Sequence, residues 1–155
     1  MNLSKLAIKT ISSFFYIGYL PFIPGTFGSL AGLALFYLSK NNIQTHLLLV
    51  FIFIILGFLI TGKAERLLNI RDARCIVIDE VSGMLLSLIF IPYDIRLVII
   101  AFFLFRILDA FKPYPAGSLE KLKGSIGIMG DDIVAGLYTN IILQVVLRSI
   151  SLKIS

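Results

Sequence analysis

Five carboxylates and two cations sit where apolar runs of this chain begin or end: Asp79 with Glu80, Arg106 with Asp109, Lys112, and Asp131 with Asp132. Ionisable groups at the edge of a bilayer are costly unless they are paired, metal-bound or wetted, so such a set reads as a working site. Hard oxygen ligands in this number suit Mg²⁺, which takes one or two carboxylates together with waters and substrate phosphate. For the phosphate, Arg106 offers a two-pronged fork and Lys112 a point charge. Thr26, in Pro24-Gly25-Thr26, is expected to cap a helix whose first backbone N–H groups attract an anion. Anion receptors and cation ligands on one face point to a metal-assisted phosphoryl reaction.

The elements that must position these groups are membrane helices. The chain has 155 residues, enough for one domain (1–155), and it is 58% hydrophobic, 15% charged and has a mean hydropathy of +0.97. A soluble domain of this size could not bury that much apolar surface, so the expected fold class is all-α: a membrane-embedded bundle of about five apolar helices plus an N-terminal amphipathic, interfacial helix. The net charge of +5 comes from basic residues flanking apolar runs, which favours anionic lipid and excludes nucleic acid as partner. Cys75 is the one cysteine, so no internal disulfide forms. No small-residue cleavage site follows Lys5 and Lys9, which argues against a removable signal peptide.

Taken in order, residues 1–20 suit an interfacial helix broken by Pro21 and Pro24. Five crossings are then expected at Phe27–Leu38, His46–Gly62, Ile76–Pro92, Ile95–Phe111 and Asp131 to about Leu147, with a short interfacial helix near Ser118–Lys123. The 17 residues of His46–Gly62 rise roughly 25 Å against a hydrocarbon core of ~30 Å. Alternation of these crossings brings every polar motif to one face. On that face lie Lys63, Arg66, Arg71, Arg74, Arg106, Lys112, Lys121 and Lys123, against Lys40, Arg96, Arg148 and Lys153 opposite. The motif face is therefore expected to be cytoplasmic.

Plainer readings compete residue by residue. Asp79 or Asp131 alone could be a helix-start charge favoured by the dipole, and Arg106 could snorkel. Gly28 and Gly32, Gly83, and Ala135-Gly136 are small residues that let helices approach closely. His46 falls on the far face and is read as interfacial without catalytic role. Cys75 has Val81 where a cysteine-phosphatase loop needs arginine.

The ordered set of motifs resembles the phosphatidylglycerophosphatase A family of bacterial membrane lipid phosphatases. It comprises Pro24-Gly25-Thr26 with Gly28-Ser29, Asp72, Ile76-Val77, Asp79-Glu80 with Gly83, Phe105-Arg106, Asp109, Lys112-Pro113 with Pro115, Gly127-Ile128-Met129, Asp131-Asp132 and Ala135-Gly136. The resemblance implies an all-α, Mg²⁺-dependent enzyme of the bacterial cytoplasmic (inner) membrane. Its expected reaction, in phospholipid biosynthesis, is hydrolysis of the terminal phosphate monoester of phosphatidylglycerophosphate to phosphatidylglycerol and inorganic phosphate.

The expected assignments make Asp79, Glu80, Asp131 and Asp132 catalytic and Asp79, Glu80, Asp109, Asp131 and Asp132 the metal ligands. Arg106, Lys112 and the Thr26 turn bind phosphate, and the nucleophile is either water or an aspartate. Asp72 is a lesser candidate. Two alternatives stand beside this reading. A CDP-alcohol phosphotransferase would need an Asp-Gly-x-x-Ala-Arg pattern that Asp72-Ala73-Arg74 does not supply. A cation transporter or channel would need charges at mid-membrane depth.

Overall fold

The computed structural model describes the backbone of residues 3–39 and 41–154, and the side chains of 3–39 and 41–149. Lys40 and the side chain of Lys153, two of the cations expected on the far face, lie outside these described parts. Among the described residues there is no strand. The elements are α1 (Leu3–Ser12), a 3₁₀ turn (Ile17–Tyr19), α2 (Pro24–Leu38), α3 (Ile43–Leu68), α4 (Ile78–Ser87), α5 (Ile95–Phe111), α6 (Ala116–Leu119) and α7 (Ser125–Ile154).

Local chemistry explains most boundaries. Asn42 caps α3 by accepting from Thr45 N–H at 3.1 Å, and Asp94 caps α5 by accepting from Arg96 N–H at 2.7 Å. Pro24 occupies the first turn of α2, where its missing N–H is no loss. Consecutive left-handed residues Phe14, Phe15 and Tyr16 end the N-terminal helix at Ser12, well before Leu20. The short helix expected near Ser118–Lys123 is α6, slightly earlier.

The bundle is built around α4, which packs against α2, α3, α5 and α7. Nine of its ten residues are buried, so the apolar run Ile76–Pro92 is apolar because it is interior to protein, not because lipid surrounds it. Its ten residues rise about 15 Å, half a hydrocarbon core. Of the five spans expected, α3 and α7 are long and apolar enough to cross a membrane, whereas α2, α4 and α5 are shorter, with 15, 10 and 17 residues. Only 17% of the apolar window of α3 is buried. Phe51, Ile52, Ile55, Phe58 and Leu59 are instead exposed along it, a face that needs an apolar surrounding.

The predicted alternation of direction holds. His46, at the start of α3, donates from Nε2 to Leu85 O at 3.0 Å near the end of α4, and Tyr93 Oη donates to Tyr37 O at 2.7 Å, linking the approach to α5 with the end of α2. His46 is thus at the end expected of it, but it is buried at 2% exposure and serves as a packing and capping residue.

Small residues set the close approaches. A Cβ on Gly28 would meet Val77 Cβ at 2.9 Å, and one on Gly32 would meet Val81 O and Met84 Cβ at 2.9 Å. Where α4 crosses α7, a Cβ on Gly136 would lie 2.5 Å from Gly83 O, and one on Gly83 would lie 2.7 Å from Asp132 O. Gly136→Ala is therefore expected to destabilise the bundle by about 1–3 kcal/mol, since backbone must move. A fall in the thermal midpoint in detergent measures this, and an unchanged midpoint would show that the crossing has slack.

Candidate active site

At the opposite end from His46, one cavity of about 350 Å³ gathers the polar motifs. Its walls come from the start of α2 (Gly25, Thr26), the α3–α4 loop (Asp72, Arg74), the start of α4 (Asp79, Glu80), the end of α5 (Arg106, Asp109), Lys112, and α7 (Asp131, Asp132). Every site residue read from the sequence lines this space. Arg106, half-buried and turned onto Asp109, does more than snorkel.

Within the cavity the carboxylates divide. Asp79, Glu80 and Asp132 each present an oxygen, all within 4.8 Å of one another. Asp79 and Asp132 are 5% and 4% exposed, and Glu80 Oε2 and Asp132 Oδ1 are buried with no hydrogen-bond partner among the described residues. Carboxylates packed this closely, out of water, are offset only by a cation or a proton. The donor set is all hard oxygen, which fits a divalent ion such as Mg²⁺. Asp79 Oδ1 also accepts from Glu80 N–H at 3.1 Å.

The remaining two acids are engaged by cations. Arg106 Nη1 lies 2.8 Å from Asp109 Oδ2 and donates to Ser29 Oγ at 3.4 Å. Lys112 Nζ lies 2.7 Å from Asp131 Oδ2 and 2.6 Å from Glu120 Oε1. Burial alone would pull the Lys112 ammonium down, but hydrogen bonds to Asp131 and Glu120 and their charges outweigh it, holding its pKa above the ordinary lysine range. Lys112 therefore stays charged. Its backbone is left-handed (φ 47°) and its N–H donates to Leu108 O at 2.8 Å, closing α5 as the chain turns toward α6.

Two expectations about helix starts change. Thr26 is not a cap: the cap position is Ile23, and Thr26 N–H already donates to Ile23 O at 3.1 Å inside the first turn. Thr26 lines the cavity, but that amide is not available to an anion. Nor do Asp131 and Asp132 open α7, which begins six residues earlier at Ser125. A dipole-cap role fades beyond the first turn, so two buried aspartates at this depth have no capping explanation. Asp79 and Glu80 do lie in the first turn of α4.

Sequence reading assigned no role to Ser29, Glu120 or Arg74. Ser29, quoted only as part of a motif, and Glu120 acquire their roles through pairings 77 and 8 residues apart. Arg74 had a signal, a cation in a loop on the motif side.

Six carboxylates face three basic side chains around this cavity, so without a bound cation it would repel phosphate. The arrangement offers Arg106 and Lys112 to an anion beside a carboxylate cluster that could hold a cation.

The family model of phosphatidylglycerophosphatase A matches residues 10–147. The chain is 37% identical over 123 residues to phosphatidylglycerophosphatase A of Escherichia coli, covering 77% of this chain and 72% of that protein. It is 36% identical to the Haemophilus influenzae protein of the same name over 124 residues, 77% and 76% of the two chains. A putative phosphatidylinositol-3-phosphatase of Bacteroides thetaiotaomicron is 35% identical over 144 residues, 87% of this chain and 90% of that one. No solved structure matches.

Proposed function

The chain belongs to the phosphatidylglycerophosphatase A family, and from that premise we propose that it is a Mg²⁺-dependent membrane enzyme of phospholipid biosynthesis. Its reaction is hydrolysis of the terminal monoester of phosphatidylglycerophosphate to phosphatidylglycerol and phosphate. The observation that carries this reading is the gathering of Asp79, Glu80 and Asp132 beside Arg106 and Lys112 in one cavity.

In this reading Asp79, Glu80 and Asp132 hold the metal, which when bound neutralises charge on the phosphate and activates water. Arg106 and Lys112 bind the non-bridging oxygens of the monoester. Asp109 and Asp131, each within 2.8 Å of a cation, aim those two side chains as well as adding negative charge near the metal. Attack by water on phosphorus breaks the bond to the glycerol oxygen, which leaves as the hydroxyl of phosphatidylglycerol by taking up a proton, and needs a base for the water proton. Asp131, whose Oδ1 is unpartnered and which stands outside the metal-holding trio, is assigned that task. The bundle sits in the cytoplasmic membrane with the cavity facing the cytoplasm, as the basic residues Lys63, Arg66, Arg71, Arg74, Lys121 and Lys123 at its end of the bundle favour.

The Bacteroides relative supports a second reading, in which the headgroup is a phosphoinositide. Both lipids carry an internal phosphodiester and an outer phosphomonoester. Phosphate release by the purified full chain, from phosphatidylglycerophosphate, phosphatidylinositol 3-phosphate and phosphatidate, with Mg²⁺ or with EDTA, tests both. Release from phosphatidylglycerophosphate is expected to be fastest and to stop in EDTA. Faster release from the phosphoinositide would move the assignment to the second reading, and undiminished release in EDTA would remove the metal.

A further inference from the structure

One basic side chain lining the cavity has no partner. Arg106 is engaged by Asp109, and Lys112 by Asp131 and Glu120. Arg74 lines the same space, is exposed, and makes no ion pair or hydrogen bond with any described residue; even Asp72, two positions away, is not within ion-pair distance. An unengaged guanidinium at a cavity in which the other two cations are already paired is free to take a ligand.

Its loop is anchored. Val77 N–H donates to Ser12 O at 3.0 Å and Ile76 N–H donates to Ala73 O at 2.8 Å. The 3₁₀ turn presses on the same loop, since a Cβ on Gly18 would fall 2.1 Å from Cys75 O. This contact seats Arg74 near the segment that ends in Phe22 and Ile23, which line the cavity while being 93% and 54% exposed. An arginine on an anchored loop and an exposed apolar lip thus line one cavity. That combination suits the part of a lipid headgroup nearest the acyl chains, which is the internal phosphodiester.

Resting on the phosphatase reading above, we propose that Arg74 is a specificity residue that holds the internal phosphodiester of the substrate while Arg106 and Lys112 hold the terminal monoester. The guanidinium fork matches the two non-bridging oxygens of a diester. Phosphatidate, which has the monoester but no second phosphate, gains nothing from it. Arg74 therefore makes the enzyme select two-phosphate headgroups.

The test uses the full chain in micelles of a non-ionic detergent. Arg74→Gln is expected to lower the ratio of kcat/KM for phosphatidylglycerophosphate to that for phosphatidate by about 10- to 100-fold, chiefly through KM. Arg74→Lys, which keeps the charge and loses the fork, recovers only part of it. An unchanged ratio overturns the proposal. So does an equal loss on both substrates seen only in vesicles containing anionic lipid, which would place Arg74 against neighbouring lipid phosphates. A second arm needs no turnover. Thermal stabilisation by the deacylated headgroup, which keeps diester and monoester, is compared with that by glycerol 3-phosphate. The advantage of the two-phosphate probe should be present in the wild type and absent in Arg74→Gln. Equal stabilisation of the wild type by both probes overturns the proposal even if no lipid is hydrolysed, which separates its failure from that of the phosphatase reading.

Discussion

Asp132→Asn is expected to lower kcat/KM for phosphate release by at least about 10³-fold, roughly 4 kcal/mol of transition-state stabilisation, while the protein stays folded in detergent. Asn keeps the shape of the side chain and removes the charge that Asp79 and Glu80 share with it across 4.8 Å. Asp132 is 4% exposed and its Oδ1 has no partner among the described residues, so little structure depends on its ionised form. Removing one of three crowded charges relieves repulsion within the protein, and the variant should be as thermally stable as the wild type or more so. Activity lost together with stability would point to a packing role instead. Full activity would remove Asp132 from the site.

Lys112→Met is expected to have the second largest effect, on activity and stability together. The ammonium bridges Asp131 at 2.7 Å and Glu120 at 2.6 Å, and the Asp131 side chain is 7% exposed. Without Lys112, Asp131 is a buried carboxylate with no counter-charge. We expect about 1–3 kcal/mol of lost stability and at least a ~100-fold fall in kcat/KM as the phosphate also loses a cation. Lys112→Arg should recover stability more than activity, because a guanidinium still supplies counter-charge to Asp131 and Glu120 while its bulkier planar fork does not place the charge where the ammonium meets the phosphate. A fully active Lys112→Met variant would confine this lysine to structure.

The gathering of the site was legible because it needed only direction. Polar residues at alternating ends of successive apolar segments must meet at one end of a bundle, and Asp79, Arg106, Asp109 and Asp132 do. Lengths were less legible. The run Ile76–Pro92 has the hydropathy of a span, yet in α4 it comes from burial by neighbouring helices, and periodicity cannot separate the two. The start of α7 was hidden by glycines. Gly127 and Gly130 read as loop, but a Cβ on Gly127 would lie 2.1 Å from Leu122 O and one on Gly130 3.2 Å from Leu119, so close packing overrides helix propensity. The partners Ser29 and Glu120 depend on side-chain reach across the fold, which spacing does not encode. Family membership sets aside the transporter and the CDP-alcohol phosphotransferase as readings of the same carboxylates.

The most direct measurement is Mn²⁺ binding, as a stand-in for Mg²⁺, followed by electron paramagnetic resonance on the purified wild type and on Asp79→Asn, Glu80→Gln and Asp132→Asn. The wild type should bind the ion and each variant should weaken it at least about tenfold, with Mg²⁺ competing. Affinity that is the same in all four proteins would contradict a shared metal site at Asp79, Glu80 and Asp132.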